Sequence, residues 1–297
     1  MVTASVLFAA MGAFVYQVKL WDHDASPLTA SFVRVAVNLV VVIILASRRS
    51  LVRGILDLFG DMRGSLWARG FFGTLSVMGM FTGIHLIGLG EASFLHSFNA
   101  VWIAALSPFI LGQRNTLLGW GAIGLGILGL YLLYQPEFRD SGFIGRSVSL
   151  ASGAFAGTAY MMIARAGRSN PTLTVVFYFC LVATVIHLAW FYLDHFVWPV
   201  DVRSWILLIA AGLFASLAQI FMTKAYQSAP AAMVSAASYT TPVFNLVVSV
   251  FIFGLLPNKQ SLAGAGVVLI AGIALPFFQS QRISKTSHDV PAEMTDR

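Results

Sequence analysis

The sequence is short of charge, of cysteine and of polar stretches. Lys, Arg, Asp and Glu together make up 10% of its 297 residues, against ~25% in soluble domains. No polar block is long enough to form a second, aqueous domain. Cys180 is the single cysteine, so an intramolecular disulfide is excluded. It lies in an apolar run, as a small packing residue does, and a metal site of the Cys/His type has nothing to stand on. Also missing are a Ser-His-Asp set, a paired-carboxylate site and a phosphate-cradling Gly-Lys motif. The expectation is no catalytic residue, no cofactor, no metal and no nucleotide-driven pumping by this chain alone. The net charge of +6 does not point to nucleic acid, because the basic residues cluster in loops between apolar runs.

What is there is apolar length. Hydrophobic residues make up 58% of the chain, and ~20 consecutive ones cross a bilayer. The runs predict an all-α integral membrane protein with ten transmembrane helices, at 2–20, 28–47, 67–88, 91–111, 117–134, 146–165, 171–193, 204–226, 229–254 and 261–279. Met1 to Tyr16 lack the basic flank of a signal peptide, so an uncleaved first helix is expected. The longest loop, 48–66, carries Leu51, Ile55, Leu58 and Phe59, which suggests a short helix lying on the membrane surface. Residues 282–297 are polar and are expected to form a disordered cytoplasmic tail.

Lys and Arg in the loops set the orientation. With the N-terminus inside, 12 fall on the cytoplasmic side, among them Arg48, Arg49, Arg53, Arg63, Arg69, Arg114, Arg165 and Arg168, and five fall opposite. Arg34 is left within a span. Both termini are therefore expected in the cytoplasm. The chain also looks doubled. Phe98-Asn99 in the fourth span matches Phe244-Asn245 in the ninth. Gly119-Trp120-Gly121 and Gly264-Ala265-Gly266 follow the two asparagines after 20 and 19 residues. A repeat of five spans inserts upside down the second time. This predicts two inverted five-helix repeats, 1–138 and 139–281, with substrate held near the midplane between them.

Polar residues inside the spans are the candidate site. On the ninth span Ser235, Ser238, Tyr239, Pro242, Asn245 and Ser249 share one face, and Pro242 favours a kink. On the eighth, Gly212, Ser216, Gln219, Thr223 and Tyr226 form a second stripe. Such faces either glue helices together or line a cavity. The sixth span carries Gly153 and Gly157, with Tyr160 a turn later; this GxxxG and the Gly79/Gly83 pair of the third span read as close helix packing. Glu91 is either a helix-N-terminal carboxylate at the outer surface or, if it faces a cavity, a proton site. His96, deeper, is either a packing residue or a cavity residue, and His85 and His187 are weaker candidates. The substrate-binding set is thus His96, Asn99, Trp102, Tyr160, Gln219, Ser235, Tyr239 and Asn245, with Glu91 and His96 as proton-coupling candidates. A polar, partly aromatic pocket of this kind suits a small organic metabolite.

Ten short-looped spans in a 5+5 arrangement resemble the drug/metabolite transporter superfamily, EamA type. The residues that carry the resemblance are Ser26-Pro27-Leu28-Thr29-Ala30, then Phe32-Val33-Arg34, and Thr241-Pro242-Val243-Phe244 in the ninth span. It covers about 2–280. The sequence departs from the pattern in lacking a proline at the matching place of the fourth span, where Trp102 lies close by and Pro108 comes later. Gln113 and Leu255 stand where that family usually has glutamate, which leaves the subfamily open. The resemblance implies a secondary transporter or facilitator of an amino-acid-like, nucleoside-like or cationic metabolite. It would work by alternating access, with or without proton coupling, in a bacterial inner membrane. For Arg34, which shares a helix face with Asn38, it implies a structural role ahead of the alternative, substrate contact. Expected partners are the small-molecule substrate and membrane lipid, with no nucleic acid and the oligomeric state open. The alternatives are an intramembrane lipid-handling protein or enzyme, or a scaffold. An enzyme needs clustered titratable groups near one interface, which the sequence does not offer.

Overall fold

The computed structural model describes residues 1–22, 26–48, 55–113, 115–138, 142–193 and 197–272. Among them every regular element is helical. The helices are α1 (Val2–Trp21), α2 (Pro27–Ser47), α3 (Gly64–Ile87), α4 (Leu89–His96), α5 (Asn99–Leu111), α6 (Leu117–Tyr134), α7 (Phe143–Ala166), α8 (Thr172–Leu193), α9 (Val202–Ser228), α10 (Ala231–Ser238) and α11 (Thr240–Phe253). A last helix, α12, covers the described residues 259–272. Taking α4–α5 and α10–α11 as pairs, nine spans among the described residues are long and apolar enough to cross a membrane. This is a multi-pass, all-α membrane protein.

The starts and stops follow from local chemistry. Ser26 Oγ accepts the Leu28 N–H at the start of α2 (3.3 Å), Thr116 Oγ1 the Gly119 N–H at α6 (3.1 Å), and Asp201 the Arg203 N–H at α9 (2.9 Å). Each satisfies a donor that the first helical turn leaves open. Gly112 (φ +70°) and Gly254 (φ +66°) end α5 and α11 in the left-handed conformation, which glycine adopts without a Cβ penalty.

The first nine expected spans match these helices within a few residues, with two exceptions, and the tenth, 261–279, runs past the described residues. The fourth and ninth are each interrupted midway. In the ninth, Tyr239 separates α10 from α11. Pro242 is the cause: it lacks the N–H that Ser238 C=O would accept, so the break falls one turn before the proline. The fourth span breaks at Ser97–Phe98 with no proline at all. There the side chains take over the ladder. Asn99 Nδ2 donates to His96 C=O (3.0 Å), and Ser97 Oγ donates to Ser93 C=O (2.7 Å). Such local side-chain bonds compete with helix.

Helix pairings come in exchanged couples. α3 packs on α7 and α1 on α9; α3 on α8 and α9 on α2; α5 on α7 and α11 on α1; α2 on α8 closes the set. The sequence-level register of the doubling is displaced, however. The two breaks, and the cap glycines Gly112 and Gly254, stand about 142 residues apart. Asn99 opens α5, whereas Asn245 lies a turn and a half inside α11 and is exposed. The Phe-Asn pairs are therefore not equivalent positions.

Interhelix contacts sort the loops onto two ends. At one end Asp61 meets Ser169 and Asn170, Arg168 donates to Leu111 C=O, and Gln113 accepts the Ala231 N–H. At the other, Thr29 meets Val197, Asp22 meets Val200, and Gln135 meets Asn258. This matches the grouping expected from the charges. Loop 48–66 does differ from expectation in its described part. Residues 55–57 make one helical turn, Leu58 is buried in the core, and Phe59 C=O accepts the Tyr178 hydroxyl. It docks on α8 because its apolar side chains find protein there. Leu51 and the tail 282–297 lie outside the described residues.

Candidate functional site

The two interrupted helices meet at the centre. Ser235 Oγ on α10 donates to Asn99 Oδ1 on α5 (3.3 Å), and the Tyr239 hydroxyl donates to Ser97 C=O (3.3 Å). Asn99, Ser235 and Tyr239 are all buried. His96 closes α4, with Nδ1 2.8 Å from Ser152 Oγ. Ser152 spends its own proton on Ser149 C=O (2.7 Å). His96 Nδ1–H is thus the donor, and Nε2 is left as an acceptor. The glycines of α7 make this closeness feasible. A Cβ on Gly153 would sit 2.7 Å from His96 C=O, and one on Gly157 3.0 Å from Asn99 C=O. The GxxxG is a packing device, and what it admits is the backbone of a broken helix.

A second polar group lies beside the first. Tyr160 of α7 stacks on Tyr226 of α9, with centroids 5.0 Å apart. The Tyr226 hydroxyl lies beside Ser235. Gln219, one face of α9 below it, accepts from Arg69 Nη2 of α3 (3.3 Å). Arg69 is 2% exposed, and its guanidinium lies 4.4 Å over the Phe179 ring. Arg34 Nη1 of α2 points at Met11 Sδ (3.8 Å). The helices that carry Arg34 and Arg69, α2 and α3, are in contact. An intramembrane arginine costs ~2.5–3.5 kcal/mol or more, so two together need a reason.

The remaining candidates are elsewhere or already engaged. Glu91, 6% exposed, accepts from Arg146 Nε at 2.6 Å in an ion pair that joins α4 to α7. His187 is fully buried and satisfied at both ring nitrogens, by Ala183 C=O and Ser31 Oγ. Trp102 is 37% exposed, and its Cβ packs by Gly157. Asn245 is exposed on the α1 side, near Gly12. The structure therefore gathers His96, Asn99, Ser235 and Tyr239 at the breaks, Tyr160 and Gln219 beside them, and leaves Trp102 and Asn245 at the edge. Among the described residues no group of three His, Cys, Asp or Glu side chains could hold a metal.

Arg69 is the residue that sequence reading misplaced. Counted as a loop cation, it is a buried one, five residues inside α3. The signal was its setting, Trp67-Ala68-Arg69-Gly70-Phe71-Phe72, where a charge sits inside the apolar run rather than before it. Removing it from the loops leaves eleven Lys and Arg against five, so the charge asymmetry survives.

Interrupted spans, exchanged helix pairings and a polar centre define the class of helical membrane transporters. The chain belongs to the EamA-like transporter family, whose model matches it twice, over residues 1–135 and 143–277. The two matches begin 142 residues apart, in the same register as the helix breaks. It is 30% identical over 210 residues to the pseudopaline exporter of Pseudomonas aeruginosa, covering 71% of this chain and 74% of that one. It is 26% identical over 162 residues to the riboflavin transporter of Vibrio cholerae, covering 54% and 53%. A solved crystal structure superposes with a TM-score of 0.77 over 95% of this chain and 98% of the other, at 16% identity, and shows the same fold.

Proposed function

We propose that the protein moves a small organic metabolite across a membrane by alternating access, as a transporter and not an enzyme. The observation that carries this is the pair of interrupted helices joined across the centre by Ser235–Asn99 and Tyr239–Ser97. Breaks at mid-membrane free backbone groups and side chains for a solute and let each half-helix tilt on its own. In this reading 1–138 and 139–281 are inverted halves that rock about the site. His96, Asn99, Tyr160, Gln219, Ser235 and Tyr239 line it, and Trp102 and Asn245 lie at its margin. Loops 48–66, 111–116 and 166–171 face the cytoplasm of a bacterial inner membrane, as do both termini. His96 is the better-placed proton site, because its Nε2 is uncommitted while Glu91 holds Arg146.

Crosslinking tests the mechanism. In a Cys180→Ser background, Glu91→Cys/Arg146→Cys would clamp the outer end, and Asp61→Cys/Asn170→Cys the inner end. In proteoliposomes each disulfide should stop solute exchange, and reductant should restore it. Undiminished exchange with both ends locked would end the alternating-access reading. No solute flux above protein-free vesicles, across a panel of metabolites, would end the transport reading.

A further inference from the structure

We propose that Arg34 and Arg69 form an oxyanion subsite, so that the transported solute carries a carboxylate or phosphate group. This rests on the transport reading above and names its substrate class. An arginine kept inside a membrane span for structure pairs with an acid or spends its donors on carbonyls. These two do neither. The ion pairs Arg63–Asp61 and Arg146–Glu91 both lie away from this site. Arg69 gives one donor to a neutral amide, Gln219, and Arg34 one to a thioether, Met11. Arg69 Nε and Arg34 Nη2 are buried with no partner, as are Asn38 Oδ1 and Thr223 Oγ1. Buried polar atoms rarely stay unpaired, and here they share helix faces with Arg34 or Gln219.

The geometry suits a planar oxyanion. Phe179 lies under the Arg69 guanidinium and holds it flat. That leaves the guanidinium edge, which can bond two oxygens of a carboxylate or phosphate at once. The stacked Tyr160–Tyr226 pair beside it offers a surface to the rest of the solute. A pocket opens a helical turn away from Arg69. A cavity of about 400 Å³ at the inner end is lined by Arg63, Gly64, Ser65, Met162 and Arg165. Ser65 is one helical turn, ~6 Å, from Arg69, and Met162 is two residues beyond Tyr160. Arg63 and Arg165 make this pocket cationic, which raises the local concentration of anions.

The test uses purified full-length protein and three probes: glutarate, inorganic phosphate and glutaramide, the neutral diamide of glutarate. Thermal shift gives the dissociation constant of each for wild type, Arg34→Gln, Arg69→Gln and the exposed control Arg203→Gln. Saturable stabilisation by glutarate or phosphate, and none by glutaramide, is expected, and the stronger of the two names the oxyanion. Each of Arg34→Gln and Arg69→Gln should weaken that binding by at least about tenfold, while Arg203→Gln leaves it unchanged. Without ligand the two variants should melt at or above the wild-type temperature, since each loses a buried cation that has no acid partner among the described residues. Equal response to glutarate and glutaramide in wild type overturns the proposal, and needs no variant to fold. So does an anion response that survives Arg69→Gln. Robust exchange of a neutral or cationic solute that neither oxyanion competes would overturn it while the transport reading stands. Oxyanion binding with no flux of any solute would do the reverse.

Discussion

Gln219→Leu is the perturbation whose cost the structure fixes most directly. Gln219 is 7% exposed and Arg69 2%, and their hydrogen bond is 3.3 Å long. Leucine nearly matches glutamine in volume, so no large cavity opens. What is lost is an acceptor for a buried cation. Hydrogen bonds to charged groups contribute ~1.5–3 kcal/mol, and a long one belongs at the low end. An ordinary interhelical bond in a membrane averages ~0.6 kcal/mol. The expected loss is therefore about 1.5 kcal/mol, a drop in melting temperature of roughly 2–3 °C at this chain length. In an Arg69→Leu background the same change should cost under about 0.5 kcal/mol, because no cation is left to satisfy. The assay is a double-mutant cycle on reversible unfolding of the purified protein. A coupling energy below about 0.3–0.5 kcal/mol, the usual scatter of additivity, would refute the claim that Gln219 serves Arg69.

Three further outcomes are expected. Asp61 accepts from Ser169 (2.7 Å) and Asn170 (2.8 Å) and pairs with Arg63; these contacts, the Ser169 bond foremost, hold its carboxyl below the ordinary value of 3.8. Its contribution is thus full above pH ~4 and lost as pH falls through the lower folded value, so the melting gap between wild type and Asp61→Asn should close below that pH, and a pH-independent gap counts against it. Pro242→Ala restores the N–H that Ser238 C=O lacks; the protein should stay folded and transport more slowly, and a wild-type rate in a well-folded variant would remove the hinge. Single cysteines at Ile55 or Met62, in a Cys180→Ser background, should resist impermeant thiol reagents in intact cells; ready labelling there would reverse the orientation.

The sequence by itself determined the membrane, the helices and their ends. Apolar length and cap residues act within one segment, so the start of α6 at Thr116 and the end of α11 at Gly254 are legible without a partner helix. The stripe Gln219–Thr223–Tyr226 was legible for the same reason, as a face of one helix. The tertiary structure alone decided what each face meets. The break at Ser97 needs no proline, because Asn99 in the same span bonds the His96 carbonyl and Gly153 of another span leaves the room. Asn245 and Trp102 read like pocket residues, yet each stands at an edge, since rotation about a helix axis is set by packing and not by spacing. Arg69 went unrecognised because a cation near a span's end normally reaches toward water. It is held inside by Phe179 of α8 and Gln219 of α9, more than a hundred residues away in the chain. Those two contacts move a loop charge into the helix bundle.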